Sequence, residues 1–547
     1  MQLYYLITII GISLFLLFRF LKKRSEKKRL QQLIENWGKA KDEKFNFKEV
    51  KRYFDSKLLV GDFHQINDQT AKDLDFAALF ILLDRTSSKP GQQYFYNHLR
   101  NINSENQLKR FSTFSDTFLE AENDRLKIQS QLSKLNHYNA YDCVRLITDE
   151  PMKRPKWIVW VFILSFLSIF SLIGGFFYPV LFLIILPVFI TNMVLHYRNK
   201  NNLNYYLNAV HQLGIAIKAG DKISNFGNIK AYFKDLSFLG SVKKIQFKTS
   251  LIGFENKMND EFAFLGWFFF ELLKITFNIE ILLFFSFLKD IQHKKTDIEK
   301  LFRYIGEIDS AIAVASIKTE YQDRVCQPSF SFKKEIKFEK IWHPLVKNCI
   351  TNDLRLSEKS MLLTGSNMSG KSTFIRTVAI NTLLAQTINI CFAEHFTAPF
   401  LKLYSSIRIT DNLSKNTSYY LEEVLQIKKL LDCSKEDIPK LFVLDEIFKG
   451  TNTEERIAAG KSILSYLNIS QNMVMVSTHD IELTEMLTQN DFELYHFSEN
   501  IQNETLNFDH KLKEGPLKTK NAIKILELYN FPEQVITEAT RLKNRTN

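Results

Sequence analysis

The chain has 547 residues, five cysteines and a formal net charge of +12 at pH 7. Its length allows several domains. The cysteines are scattered without a Cys-x-x-Cys pair, which indicates neither a disulfide framework nor a zinc site and fits a reducing compartment. The positive charge suits an anionic partner such as nucleic acid or a membrane surface. Much of it flanks apolar segments or alternates with acidic residues, so it is weak evidence for DNA.

The first predicted element is an apolar N-terminal segment. Residues 3–18 contain no charged side chain, and a basic run from Arg19 to Arg29 follows them. A cleaved signal peptide has its basic residues before the apolar run, so the sequence predicts a retained membrane anchor over residues 1–20. The segment is just long enough to cross a hydrocarbon core of about 30 Å. The positive-inside rule then places residue 22 onward in the cytoplasm.

Two further apolar runs predict a transmembrane hairpin over residues 157–196. They extend from Trp157 to Ile173 and from Phe177 to Leu195, and basic residues flank the pair on both outer sides. Both ends are therefore expected in the cytoplasm. The alternative is a buried helical hairpin of a soluble core.

A fourth apolar stretch, residues 262–288, is predicted not to span a membrane. It contains Glu271, Lys274 and Glu280, and ionisable side chains are costly at bilayer depth. A core or membrane-facing helix pair is the interpretation, with its Phe-rich face resting against the hairpin.

The most informative motif occupies residues 365–373, Gly-Ser-Asn-Met-Ser-Gly-Lys-Ser-Thr. An apolar strand precedes it and a helical pattern follows, the context that a phosphate-binding loop requires. Backbone N–H groups of such a loop and the helix N-terminus bind phosphate oxygens. Lys371 is predicted to reach the β- and γ-phosphates of ATP, and Ser372 to ligate Mg²⁺. The predicted binding residues are Gly365, Ser366, Asn367, Met368, Ser369, Gly370, Lys371, Ser372 and Thr373.

Two later strands supply the remaining candidate residues. The strand at 441–445 ends in Asp445-Glu446, and the strand at 473–477 is followed by Thr478-His479. Asp445 is predicted to hold Mg²⁺, and Glu446 to orient or deprotonate the attacking water. A single His is more often structural, but the motifs around His479 favour its interpretation as a sensor of the γ-phosphate. The predicted catalytic residues are Lys371, Glu446 and His479.

Between these strands and the loop, Thr417 and Ser418 precede a helical pattern. Hydroxyl groups and free N–H groups at a helix start form an anion site. They also form an ordinary N-cap, and the residues alone do not separate the two interpretations.

In order and content these motifs resemble the MutS ATPases, the ABC-type ATPases of DNA mismatch repair. The resemblance is strong over residues 340–547 and reaches back more weakly to about residue 70. It is carried by residues 365–373, 445–453 and 477–484, by His343-Pro344-Leu345, by the tail 509–515, and upstream by residues 83–86, Gly91 and Leu99-Arg100. It implies ATP and Mg²⁺ as cofactors. It also implies a homodimer in which Thr417 and Ser418 of one copy complete the γ-phosphate pocket of the other.

The chain also departs from the family pattern. Ser366 and Ser369 stand where the family has Pro and Gly, and the signature segment lacks the usual Gly and Arg. The aromatic residue that the family places against adenine would fall near Cys349. No room exists before residue 57 for a mismatch-reading domain. ATP hydrolysis is therefore expected, and mismatch recognition is not.

The predicted fold class is mixed, with an α-helical core and lever region, transmembrane helices and a C-terminal α/β P-loop domain of the ABC type. Strands at about 361–364, 403–409, 441–445 and 473–477 alternate with helices, as a mostly parallel sheet requires. The predicted segments are an anchor (1–20), a basic linker (21–56), the first part of a MutS-like core domain (57–156), the hairpin (157–196), a helical lever (197–320) and the ATPase domain with C-terminal helices (321–547).

The sequence thus predicts a multi-pass protein of the cell membrane with a cytoplasmic ATPase domain that dimerises around ATP. DNA is the leading expectation for its ligand. The alternatives are an ATP-driven switch that acts on a protein partner without DNA, and an ABC-type transporter motor. The last is disfavoured because the Leu-Ser-Gly-Gly-Gln signature is missing and no predicted span carries a charged residue.

Overall fold

The computed structural model describes the chain except residues 1, 60, 151–154, 253–270, 367, 409–418, 449–450, 488–490, 503–504, 518–521 and 547. The chain folds as two compact units. The first, the helical unit, comprises Met1–Leu59, Leu83–Asn97 and Thr113–Glu320. The second, the sheet unit, comprises Val60–Leu82, His98–Ser112 and Tyr321–Asn547. The predicted core segment 57–156 is therefore divided between the two.

The helical unit is built from α-helices and short 3-10 turns. Its α-helices are Gln2–Glu35, Phe47–Val50, Arg52–Asp55, Glu122–Leu132, Arg145–Thr148, Ile158–Gly174, Phe182–Ile223, Gly227–Tyr232, Ser237–Ile252, Ile279–His293 and Lys295–Glu320. The 3-10 turns are Ser133–Leu135, Tyr138–Val144 and Pro179–Leu181. Phe76–Leu83, Lys89–Arg100 and Glu105–Glu120 are helices with residues in both units.

The core of the helical unit is centred on Lys295–Glu320, whose middle turns are buried on every side. Asp309 lies in this helix with no exposed surface, and it accepts hydrogen bonds from the backbone N–H groups of Ser87 (2.7 Å) and Ser88 (2.8 Å). Burial raises the pKa of Asp309 to about 6. A Cβ added to Gly91 would lie 2.1 Å from Asp309 Oδ2, so only glycine fits there. Part of the segment that resembles the family upstream is thus a tightly packed core contact.

The apolar helices differ from the prediction in extent. The predicted anchor and part of its linker form one helix, Gln2–Glu35, and the second hairpin helix continues from Phe182 to Ile223. Among the described residues, one helix, Pro179–Arg198, is long and apolar enough to cross a bilayer, and Ile158–Gly174 is apolar but shorter, at 17 residues. Of the three predicted membrane spans, one is therefore both long enough and apolar enough among the described residues.

The hairpin closes in a tight turn, and the described part of the fourth apolar stretch contacts it as predicted. The backbone N–H of Tyr178 donates to the carbonyl of Gly174 (2.8 Å), which closes a tight turn. Phe284 and Leu288 of the fourth stretch pack against Ile158 and Val161 of the hairpin. Residues 262–270 lie outside the described part of the chain.

The sheet unit contains a six-stranded sheet. Its strands are β6 (Ser360–Gly365), β8 (Lys402–Ser406), β9 (Lys440–Asp445), β10 (Met473–Ser477), β11 (Phe492–Phe497) and β14 (Lys513–Glu514). Across the sheet they lie in the order β14-β11-β6-β10-β9-β8. All neighbours are parallel except β11 and β14. The prediction of a mostly parallel sheet is confirmed, and the four predicted strands lie within three residues of the observed bounds.

Smaller sheets and flanking helices complete the sheet unit. β1 (His64–Gln65) pairs with β2 (Asn101–Ile102), and β12 (Glu499–Gln502) pairs with β13 (Thr505–Phe508). A four-stranded sheet has the order β3-β7-β4-β5, from Ser329–Phe330, His395–Ala398, Glu335–Ile341 and Asn352–Ser357. The helices are Asp68–Asp73, Lys371–Ile388, Tyr419–Ser434, Thr453–Leu467, Glu482–Leu487, Ala522–Leu528 and Glu533–Thr546.

Candidate nucleotide-binding site

The candidate site lies at the carboxyl ends of β6, β10 and β9, which are adjacent in the sheet. In open parallel sheets this edge is where ligands bind. Among the described residues from the end of β6 through the loop, the φ angle is positive at Gly365 (152°), Met368 (69°) and Gly370 (108°). The loop leads directly into the 18-residue helix Lys371–Ile388. This is the strand, curled loop and helix start that bind phosphate through backbone N–H groups.

Lys371 is the centre of this loop. Its Nζ donates to the carbonyl oxygens of Gly365 (2.8 Å) and Ser366 (3.1 Å), and only 5% of the residue is exposed. Ser369 Oγ donates to the same Ser366 carbonyl (2.8 Å), and Ser366 Oγ hydrogen-bonds the Glu499 carboxylate. Ser366 and Ser369 therefore both stabilise the loop through their hydroxyl groups.

The two carboxylates after β9 are held in a constrained turn. Glu446 and Phe448 have φ angles of 51° and 58°, a left-handed conformation that costs a non-glycine residue energy and is common at functional sites. Backbone hydrogen bonds hold the turn, from Glu446 N to the Ser477 carbonyl (2.9 Å) and from Phe448 N to Glu423 Oε1 (2.5 Å). Asp445 accepts a hydrogen bond from Ser477 Oγ. β10 thus positions both carboxylates.

The structure brings the three predicted catalytic residues together. His479 Nε2 lies 3.2 Å from Lys371 Nζ and 3.2 Å from Glu446 Oε1. A neutral imidazole nitrogen either accepts from the ammonium group or donates to the carboxylate, and cannot do both. Because of this competition, an anion that draws Lys371 away leaves His479 free to donate to Glu446. The bond from Arg456 to Asp480 (2.6 Å) anchors the segment that carries His479.

A pocket of about 330 Å³ adjoins the phosphate loop. Cys349 and Ile350 line one part of it, Thr373 and Phe374 of the loop helix another, and His510 a third. The ring nitrogen Nδ1 of His510 lies 2.9 Å from the Ser369 carbonyl oxygen, so the tail contacts the loop directly. The volume falls within the range of small-molecule sites. The rings of Phe374, Phe497 and His510 line the pocket, whereas Cys349 offers no ring.

A buried histidine, His343, stabilises the turn that precedes the pocket-lining residues Val346 to Ile350. His343 is 4% exposed, and its Nδ1 accepts from the backbone N–H of Leu345 (3.2 Å). Burial and the nearby Arg376 guanidinium lower the pKa of His343 to about 4, so the ring is neutral at physiological pH. The residue is an internal support of the turn rather than a ligand.

Sequence reasoning assigned no role to Glu423 or to His510. Glu423 follows the Thr417-Ser418 segment, and His510 belongs to the tail that resembles the family. Both contacts join residues far apart in the chain, so spacing gave no signal. Asn367, Thr417 and Ser418 lie outside the described residues, and the structure leaves their predicted roles untested.

The residues present fit ATP with Mg²⁺. The loop offers backbone donors and a lysine for phosphates, and the neighbouring pocket is large enough for a nucleoside. In the described part of the chain no group of three His, Cys, Asp or Glu residues could hold a metal by itself. That is compatible with Mg²⁺, which commonly binds through one or two protein ligands, substrate phosphates and water.

Comparison with known proteins gives matches in the same region. Residues 361–547 match the sequence model of MutS domain V. The chain is 29% identical over 273 residues to the DNA mismatch repair protein MutS of Staphylococcus aureus, in strains JH9 and Newman alike. The match covers 48% of this chain and 31% of those relatives, so the chain spans about a third of their length. The chain is thus similar to MutS proteins, and the match to MutS domain V includes the candidate site.

Proposed function

We propose that the protein is a membrane-tethered ATPase of the MutS type, which binds Mg²⁺–ATP and hydrolyses it at an interface between two copies. The observation that carries the proposal is the convergence of Lys371 Nζ, His479 Nε2 and Glu446 Oε1, each 3.2 Å from the next. It occurs beside a nucleoside-sized pocket and within the segment that matches MutS domain V.

Each residue then has a defined task. The loop N–H groups and Lys371 hold the phosphates, and Ser372 and Asp445 hold Mg²⁺, which neutralises charge on the phosphates when bound. Glu446 orients the attacking water and accepts its proton. His479 changes partner when Lys371 turns to the phosphates, and this makes it a sensor of the γ-phosphate.

Dimerisation follows from the same proposal, since Thr417 and Ser418 are expected to reach the γ-phosphate of the second copy. In a Glu446→Ala variant, bound ATP persists and traps the dimer. Sedimentation of the full chain in detergent should show a dimer with this variant and ATP, and a monomer with Lys371→Ala. A Glu446→Ala protein that stays monomeric with ATP bound would contradict the composite site.

The helical hairpin is proposed to insert in the cell membrane, with the sheet unit in the cytoplasm. Only 17% of Pro179–Arg198 is buried, and the exposed fractions of Phe166, Phe176 and Leu183 are 70, 80 and 75%. A core helix of a soluble protein would hide such side chains, whereas lipid accommodates them. The basic flanks place both hairpin ends in the cytoplasm.

The membrane proposal is tested in whole cells. A cysteine at Phe176 should react with an impermeant maleimide from outside, and a cysteine at Arg198 only after permeabilisation. The unsubstituted chain gives the background of the five native thiols. Release of the protein by alkaline carbonate, or labelling of Arg198→Cys from outside, would contradict insertion in this orientation.

DNA is the proposed ligand, because the relatives are named as DNA mismatch repair proteins. Binding through phosphates weakens steeply with salt, by a log–log slope of about −0.9 per contact. A slope near zero for the full chain in detergent would exclude such contacts. It would favour the second candidate, a switch acting on a protein partner. That candidate draws support from surface lysines already paired with carboxylates, as in Lys340–Glu394 (2.6 Å) and Lys402–Glu436 (2.7 Å).

A further inference from the structure

Two cysteines that are far apart in the chain face each other in the sheet unit. The backbone N–H of Cys326 donates to the carbonyl of Cys391 (2.9 Å), and the N–H of Cys391 donates to the carbonyl of Cys326 (2.9 Å). This exchange makes them a directly opposed antiparallel pair. In such a pair the two Cα atoms lie about 5.5 Å apart, and both side chains are on one face. That separation is within the range of about 4.4–6.8 Å that a disulfide requires.

Trp342 holds both cysteine-bearing segments in this register. Its indole Nε1 donates to the carbonyl of Arg324 (3.0 Å), which lies two residues before Cys326. Its backbone N–H donates to the carbonyl of Phe392 (3.0 Å), which directly follows Cys391. The indole ring also packs against the Phe392 ring, with 4.9 Å between the centroids. Buried contacts on both sides therefore keep the two cysteines opposite each other.

The two thiols differ in accessibility and in acidity. Cys326 is partly exposed, whereas Cys391 has no exposed surface. The hydrogen bond between the two thiols lowers the pKa of Cys326 from its usual value. Burial raises the pKa of Cys391 well above its usual value. Because the thiolate is the reactive form of cysteine, Cys326 is the thiol that an oxidant attacks first, and Cys391 is its resolving partner.

We propose that Cys326 and Cys391 form a reversible disulfide when the protein meets a hydroperoxide. The Cys326 thiolate attacks one peroxide oxygen, the O–O bond breaks, and the leaving hydroxide takes up a proton to become water. The sulfur of Cys391 then attacks the resulting Cys326 sulfenic acid. An S–S bond replaces the S–O bond, and a second water leaves with the Cys391 proton. The two sulfur atoms lose two electrons in all, and the peroxide gains them.

A metal site and a permanent structural disulfide are the other uses of paired cysteines. In the part of the chain that the structure describes, no group of three His, Cys, Asp or Glu residues could hold a metal. Directly opposed residues have Cβ atoms about 4.5–5.5 Å apart, and a disulfide prefers about 3.5–4.5 Å. The bridge must therefore draw the segments together, which makes it easier to reduce. A transient bridge also suits the reducing compartment of the proposed cytoplasmic location.

The bridge closes a ring over residues 326–391, and this ring contains the whole phosphate loop, residues 365–373. A cross-link lowers the entropy of the unfolded chain, and the effect grows with the length of the loop that it closes. The sheet unit should therefore unfold at a higher temperature when oxidised than when reduced. Oxidation would in this way stabilise the segment that carries the candidate nucleotide site.

The test treats the reduced full chain in detergent with a small excess of hydrogen peroxide. The remaining thiols are then alkylated under denaturing conditions, and the peptides are mapped by mass spectrometry. The expected product is one peptide pair joined through Cys326 and Cys391, with the other three thiols alkylated, and dithiothreitol should restore all five. Cys326→Ser should form no bridge. Cys433→Ser, a change at another partly exposed cysteine, should leave the bridge unaffected.

Three outcomes overturn the proposal: both thiols remain alkylated after peroxide, Cys326 bridges to a different cysteine, or Cys326 is oxidised to the sulfinic acid without a bridge. Thermal unfolding provides the second readout. The midpoint should rise by several degrees on oxidation of the unsubstituted chain and not of Cys326→Ser, and equal midpoints would overturn the stabilising effect. Neither readout needs nucleotide or lipid. Failure of this proposal and failure of the proposed function are therefore distinguishable.

Discussion

Replacing Glu446 by Gln isolates the proton-accepting role of this side chain. The amide is the same size, and its carbonyl oxygen can still accept a hydrogen bond where Glu446 Oε1 lies 3.2 Å from His479 Nε2. The left-handed backbone at φ 51° stays held by the Ser477 carbonyl. The amide cannot take a proton from water. The site should therefore bind ATP as before and lose only the chemical step.

The magnitude follows from general base catalysis, which contributes about 10²–10⁴-fold. That corresponds to about 3–5 kcal/mol of transition-state stabilisation. Phosphate release by the full chain in detergent measures turnover, and fluorescent nucleotide titration measures binding. Glu454→Gln, an exposed carboxylate at the start of helix Thr453–Leu467, is the matched control. Turnover within about tenfold of the unsubstituted chain would refute the assignment of Glu446 as base.

Three further outcomes are expected. Lys371→Ala should weaken ATP binding by about 100-fold or more, since charged hydrogen bonds to phosphate are lost, and calorimetry showing unchanged affinity would contradict it. Gly91→Ala should destabilise the helical unit by about 3 kcal/mol, because the new Cβ would lie 2.1 Å from the buried Asp309 carboxylate. Gly240→Ala, where nothing lies within 4 Å, is the control for thermal unfolding. Burial lowers the pKa of His98 from 6.5 to about 4. The folded state therefore binds a proton at His98 less readily than the unfolded chain does. The free energy of unfolding should be highest above about pH 6.5 and should fall by up to about 3 kcal/mol as the pH is lowered towards 4. Urea unfolding of His98→Leu should lack that part of the pH dependence, and an unchanged pH profile would contradict it.

Sequence reasoning was accurate where function depends on contiguous residues. The predicted strand at 473–477 agrees with Met473–Ser477, and the strands before the loop and before Asp445 differ from their predictions by one residue. A buried parallel strand is a continuous apolar run, and the loop after it needs glycine at fixed positions. Both properties can be recognised from a single continuous stretch of the sequence.

The same reasoning failed where partners are distant in the chain. Helix Phe182–Ile223 continues far past the predicted end of the hairpin, because backbone hydrogen bonds of a helix continue through polar sequence after the apolar run has ended. The supporting role of Glu423 depends on a contact with Phe448 N, 25 residues away. The same holds for His196, whose carboxylate neighbours come from residues 271 and 280.

The sequence by itself determined the phosphate loop, the strands that carry the candidate residues and the approximate positions of the apolar helices, because each depends on local spacing and composition. Only the tertiary structure decided which polar groups meet. It placed His479 between Lys371 and Glu446, brought His510 to the pocket, and placed His196 between the carboxylates of Glu271 and Glu280. The physical reason is that hydrogen bonds and ion pairs act over a few ångströms in space, whatever the separation of the residues along the chain. Such contacts therefore produce no periodic pattern in the sequence.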